Sequence, residues 1–125
     1  MTKLVFCLRR KEGMSREEFQ RYWRETHAPL VASHADILGI QRYVQVHTVT
    51  SPVNGAIRAS RGGPEEYDGV AELWWDSIDA MAAGASSDAG RAAGLELLED
   101  ERRFIDLANS PLFFADENEV VALRD

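Results

Sequence analysis

The chain has 125 residues and 14 Lys and Arg against 21 Asp and Glu, a formal charge of −7. This is the composition of one ordinary globular domain. It argues against nucleic acid or an anionic membrane as partner, since both call for a positive field. No apolar run approaches the roughly 18 residues of a membrane-spanning helix.

The lone cysteine, Cys7, leaves no internal disulfide and no multi-cysteine metal site. Its place in an apolar strand reads as core. The stretch MTKLVFCLRRK lacks the long apolar region of a secretory leader, so a cytoplasmic location is expected.

Residues 3–10, KLVFCLRR, read as a strand that is apolar on both faces. A helix follows. Ser15 and Glu18 have capping-box spacing, with Met14 and Phe19 at the staple positions. Phe19, Tyr22, Trp23, Thr26, His27, Leu30 and His34 draw one face of this helix. Pro29 cannot donate to the Glu25 carbonyl, so a kink or break is expected there.

After a turn at Asp36–Gly39, residues 40–50 read as a long strand. One of its faces carries Tyr43, Gln45 and His47. Residues 51–67 hold three Gly and two Pro and read as a loop. Residues 68–76, DGVAELWWD, form a third strand. A helix capped by Asp76 or Ser77 begins at Ile78 and is interrupted around Ser86–Ser87. It resumes from Ser87–Asp88 and runs to about Arg103. Residues 112–123 read as the last strand.

The order βαββαβ builds a four-stranded antiparallel sheet with helices on one face, an α+β architecture. Val70 and Trp74 alternate with Ala71, Leu73 and Trp75, so both faces of the sheet are apolar. Two helices cover only one of them. A second copy of the sheet, packed face to face as a homodimer and closing into a barrel, is the expected cover.

Three histidines bear on chemistry. His27 lies on the apolar helix face, which points at the sheet, and can move a proton at the floor of a helix–sheet cavity. His47 shares a strand face with Tyr43 and Gln45. Such a row is costly to bury unless paired, wetted or lining a pocket. His34 is seven residues from His27, about 10.5 Å along an ideal helix, too far for one metal ion.

No H-E-x-x-H, G-x-G-x-x-G or P-loop occurs, so neither a bound cofactor nor a metal is expected. Glu72 is expected to pair with Arg42 on the next strand, and Asp106 to orient a histidine or cap a turn. Tyr22, Trp23, Trp74, Phe104 and Phe114, with Trp75, are core candidates that also suit the apolar wall of a small-molecule pocket.

In order and spacing, several stretches resemble the EthD family: Met14 to Phe19, Tyr22-Trp23 and Thr26 to Leu30, then the strand Tyr43 to His47. The segment Tyr67 to Trp74 and the turn Phe104-Ile105-Asp106 before Ser110 are similar as well. The resemblance covers nearly the whole chain, read as a single EthD-like domain over 1–125. Residues 51–67 are the departure, longer than a minimal turn.

The resemblance implies a ferredoxin-like fold forming a dimeric α+β barrel. It also implies a pocket between helices and sheet, and a loose link to oxidoreductases. Similar barrels include cofactor-independent oxygenases, cyclases, dehydratases and decarboxylases. The expected activity is cofactor-independent chemistry of oxidoreductase or monooxygenase type on a small apolar or aromatic substrate. His27 and His47 would be acid and base, with Tyr43 holding a substrate oxygen. The alternatives are a lyase, cyclase or dehydratase of the same fold, or a non-catalytic carrier or accessory protein in a degradation pathway.

Overall fold

Strand β1 (Thr2–Leu8) forms the inner rail of the sheet. It pairs antiparallel with β3 (Gly69–Trp75) on one side and β4 (Leu112–Ala115) on the other. Strand β2 (Arg42–His47) lies outside β3, giving the order β2-β3-β1-β4. This is the ferredoxin-like arrangement, seen in a computed structural model that describes residues 1–124. Residue 125, the last of the expected domain, lies outside the described residues.

Helix α1 (Arg16–Tyr22) starts on the expected capping box, with both of its hydrogen bonds made. At Pro29 the outcome differs from the expected kink or break. The helical path continues through a π turn (Trp23–His27) into α2 (Ala28–Leu38). The Ala28 N–H reaches back five residues to the Trp23 carbonyl, so the helix is already in wide register where the proline donor is missing. Gly39, at φ 74, closes α2 in the left-handed conformation that glycine adopts without strain.

Residues 51–67 are not all loop. Helix α3 (Pro52–Arg61) stands there, capped by the Ser51 hydroxyl and ended by Gly62. Asn54 and Gly55 weaken its propensity, and its short apolar stripe, Val53, Ala56 and Ile57, is left exposed, so none of its residues is buried. That stripe and the caps, Ser-Pro at the start and Gly at the stop, were the legible signals. The tie between Arg58 and Glu66, 3.0 Å, returns its end to the domain.

Helices α4 (Ile78–Ser86) and α5 (Asp88–Glu101) meet at Ser87, which caps α5 through the Gly90 N–H. A short 3-10 turn (Leu107–Asn109) leads to β4. There Asp106 accepts from the Asn109 amide, 2.7 Å, and so holds the turn. Strand β4 ends at Ala115 rather than 123. Ala115 already pairs with Lys3, β1 begins at Thr2, and among the described residues Asp116, Glu117 and Glu119 have no partner strand.

The core lies between the helices and one sheet face, around the fully buried Phe19, Trp23, Phe104 and Leu8. Each large apolar side chain so buried contributes roughly 1.5–3 kcal/mol. On the other face stand Val5, Cys7, Val44, Val46, Val70, Glu72, Trp74 and Phe113, as the register requires. Cys7 is therefore a half-buried residue of the open face, not of the core. Trp74 is buried there beneath Lys3 and Arg42, whose guanidinium stacks 4.5 Å above its ring. Arg42 thus serves the tryptophan, and Glu72 pairs with Lys3 at 3.3 Å instead.

A β-carbon at Gly69 would collide with the Trp23 ring. Gly69→Ala is therefore expected to lower stability by about 1–3 kcal/mol, read as a shift of the urea unfolding midpoint at unchanged slope.

Candidate functional site

Between the helices and the inner sheet face lies a cavity of about 220 Å³. Its walls are chiefly apolar, from Phe6, Trp23, Leu73, Trp75 and Leu97. Three groups with protons to give or take open onto it: His27, Tyr43 and Glu101. The space is smaller than the roughly 300–1,000 Å³ of drug-sized pockets, so it suits a compact molecule.

His27 comes from the end of the π turn and is buried, 5% exposed. Its Nδ1 lies 2.7 Å from Asp100 Oδ2, and its ring packs against Phe104 at 5.0 Å. Asp100 is itself buried and also accepts from the Tyr22 hydroxyl and, at 3.0 Å, from Arg103. Burial works to protonate this carboxyl. The hydrogen bonds from Tyr22, His27 and Arg103 outweigh it and hold the pKa below the ordinary value.

Burial lowers the His27 pKa, and Asp100 only partly offsets this. At neutral pH the site therefore presents a neutral imidazole with its proton on Nδ1. Among the described residues nothing bonds its Nε2, which leaves that lone pair for a ligand.

Glu101 follows Asp100 at the end of α5. Burial, helped by the neighbouring Asp100 charge, pushes its pKa up to about 7. Tyr43, on β2, has its pKa raised by burial and by the Glu101 charge, against the donors that bond its oxygen.

The structure brings together only some of the residues expected at a site. His27, Tyr43 and Trp23 line the cavity. His47 does not. It stacks on Trp23, ring centroids 4.5 Å apart, and reaches Gln45, so the expected His27–His47 pair across a pocket is not formed.

Trp74 faces away on the open side, and the cavity wall is Trp75, whose indole donates to the Leu38 carbonyl at 2.8 Å. Phe104 lies behind His27, Phe114 behind Trp75 at 6.0 Å, and Tyr22 behind Asp100. His34 pairs with Glu96 outside the cavity, 3.0 Å. Among the described residues no group of three or more His, Cys, Asp or Glu is placed to hold a metal ion, and no helix is long and apolar enough to cross a membrane.

Sequence reasoning missed Asp100 and Glu101. The signal was present in α5. Gly90, Ala93, Leu97 and Asp100 are spaced three and four apart, which sets a carboxylate on the inward stripe of an otherwise apolar face.

The EthD domain, as a family, matches residues 11–108. Solved structures share the fold. An ethyl tert-butyl ether d (EthD) family protein from Bacillus halodurans is 22% identical, with 94% of this chain and 99% of that one covered and a TM-score of 0.63. A dimeric protein of unknown function and ferredoxin-like fold from Bacteroides fragilis is 12% identical, covering 93% and 95%, TM-score 0.58. SnoaB from Streptomyces nogalater, described as a cofactor-independent oxygenase, is 14% identical, covering 96% and 95%, TM-score 0.53.

The raised Glu101 pKa has a measurable consequence. Between the ordinary 4.5 and about 7 the folded chain binds more protons at Glu101 than the unfolded one. This group's contribution to stability is therefore expected to fall as pH rises through that window and to level off above it, against the opposite slope of His27 and His47, whose pKa values burial lowers. Carbon-detected NMR of the Glu101 carboxyl should titrate near 7, and Glu101→Gln should leave stability rising more steeply with pH through the window.

Proposed function

The chain belongs to the EthD domain family, and from that premise we propose that it is an enzyme that takes a proton from a small, largely apolar or aromatic substrate without a bound cofactor. The supporting observation is the buried Asp100–His27 pair at 2.7 Å, set where an apolar cavity begins.

His27 is the base. Asp100 fixes its tautomer and stabilises the imidazolium that forms when Nε2 accepts a proton. Low dielectric lowers the basicity of an isolated buried imidazole, so the partner carboxylate is what keeps His27 useful. Glu101 retains its proton to about pH 7 and is the second proton-transfer group. Tyr43 holds a substrate oxygen. The Trp23 and Trp75 rings supply flat apolar walls.

The electron-rich anion left by deprotonation is the kind of species that dioxygen oxidises directly: the electron pair forms a C–O bond, and the protonated hydroperoxide would lose water to leave a new carbonyl, a reaction of monooxygenase type. The Streptomyces nogalater protein of like fold is described as a cofactor-independent oxygenase.

The unit that carries this site is proposed to be a homodimer. Val46 and Phe113 on the open sheet face are about half exposed, and a second sheet would cover them. The Bacteroides fragilis neighbour is described as dimeric. Sedimentation at micromolar concentration should give twice 14.0 kDa; a clean monomer would overturn the dimer.

The catalytic step is testable with small aryl ketones such as phenylacetone in deuterated buffer. The protein should accelerate deuterium incorporation at the acidic carbon. His27→Ala should cost on the order of a hundredfold or more, the usual worth of a positioned base, and Asp100→Asn a similar factor. The rate should hold as pH falls through 6.5 and drop only below it, because burial lowers the His27 pKa. Incorporation no faster than buffer across the panel, or unaffected by His27→Ala, would defeat this reading.

A further inference from the structure

His47, like His34, is left unused by the cavity chemistry, yet it is tightly held. Its Nε2 lies 2.9 Å from Gln45 Oε1. Gln45 Nε2 in turn lies 3.0 Å from the Trp23 carbonyl and 2.8 Å from the Tyr43 hydroxyl. The four groups form one chain along β2 and the π turn.

Elementary donor and acceptor rules fix the direction of every bond in it. The Trp23 carbonyl can only accept, so the group facing it is the amide nitrogen of Gln45 and not its oxygen. Gln45 Oε1 therefore faces His47 and requires an N–H from it, which puts the imidazole proton on Nε2. The other ring nitrogen, Nδ1, is then a bare lone pair, and it is buried without a partner among the described residues. Such an orphan is costly, and it marks a ring held in one tautomer for a reason other than its own satisfaction.

The second hydrogen of the Gln45 amide goes to the Tyr43 oxygen. The Tyr43 oxygen is thus occupied as an acceptor by a group that has no lone pair to offer in return. Its own hydrogen must point elsewhere, and Tyr43 lines the cavity with Glu101 as its acidic neighbour.

We infer that Gln45 and His47 are positioning residues that hold the Tyr43 hydroxyl as a hydrogen-bond donor toward the cavity, so that the ligand it selects presents an oxygen acceptor there, a ketone carbonyl or the enolate derived from it. The inference rests on reading the cavity as the active site and adds the substrate class: a carbonyl compound whose acidic C–H lies within reach of His27. Negative charge that develops on the carbonyl oxygen as the proton leaves carbon would strengthen the Tyr43 bond, which is how a preorganised donor lowers a barrier.

Two measurements decide the matter. In nitrogen-15-labelled full-length protein at pH 7, His47 should show a protonated Nε2 and a bare Nδ1; the reverse tautomer, or an imidazolium, overturns the chain. Gln45→Glu replaces the amide donor by an acceptor and turns the Tyr43 hydrogen away from the cavity. Deuterium incorporation into phenylacetone should fall at least tenfold, to the level of Tyr43→Phe, and the double variant should be no slower than either. An unchanged rate in Gln45→Glu, or fully multiplicative losses in the double variant, overturns the positioning role. Unchanged His27 ring signals in Gln45→Glu distinguish this effect from damage to the fold. If the wild-type chain fails to exchange while His47 has the stated tautomer, the catalytic reading has failed and the hydrogen-bond chain has not; exchange with the reversed tautomer is the opposite case.

Discussion

A missing hydrogen sets the geometry of the inner face. Pro29 has no N–H to give the Glu25 carbonyl, and the helix meets this by widening at Trp23–His27. In an α-helix, residues four apart overshoot a full turn by about 40°. A wider turn takes up that overshoot, so Phe19, Trp23 and His27, spaced by four, keep facing the sheet. The same register leaves the Trp23 carbonyl where it takes both the Ala28 N–H and the Gln45 amide. The wall tryptophan, the cavity histidine and the anchor of the β2 polar chain thus share one five-residue segment. Gly69 completes the fit, because only a residue without a β-carbon lets the Trp23 ring lie against β3.

Around this turn the protein buries more polarity than a small core usually carries. Asp100 is buried and gathers three donors. Asp68, also buried, gathers the Arg10 backbone and the Arg10 and Arg16 guanidinium groups. The two clusters differ in consequence. At Asp68 the donors are two fixed cations and an amide, so the carboxylate is a clamp between β1, β3 and α1. At Asp100 one donor is a titratable ring that opens on a cavity, so the same chemistry becomes available to a ligand.

Much of the fold was legible because its signals are local or periodic. The capping box at Ser15, the β-branched run in β2 and the Ser77 and Ser87 caps each act within a few residues. The alternation in β3 correctly separated Trp75, against the helices, from Trp74, on the open face, though it could not say which face held the cavity. What escaped depends on distant partners. The length of β4 is set by where β1 begins, and the partner of Glu72 by which cation the adjacent tryptophan engages. Helix α3 packs no stripe into the core, so only its caps and the short exposed stripe Val53, Ala56 and Ile57 speak for it. At the site, His27 and Tyr43 stood out as polar residues on apolar faces. Asp100 and Glu101 were overlooked because a carboxylate near a helix end reads as solvent-facing until the packing of α5 is known.

The cavity's electrostatics follow from inverting an ordinary order. In water a glutamic acid loses its proton well before a histidinium does. Here burial drives both toward their neutral forms, Glu101 up to about 7 and His27 downward. Below about pH 7 the two lining groups therefore tend toward a carboxylic acid and a neutral imidazole rather than an ion pair, a wall that the proposed apolar carbonyl compound can meet with little loss of solvation. In the proposed reaction these two lining groups gain charge only when a proton moves, and His27 and Tyr43 are each hydrogen-bonded from behind, by Asp100 and by Gln45. Perturbed acids and bases gather where proton transfer is done, which supports the proposed roles, and in this chain both shifts arise from one apolar enclosure.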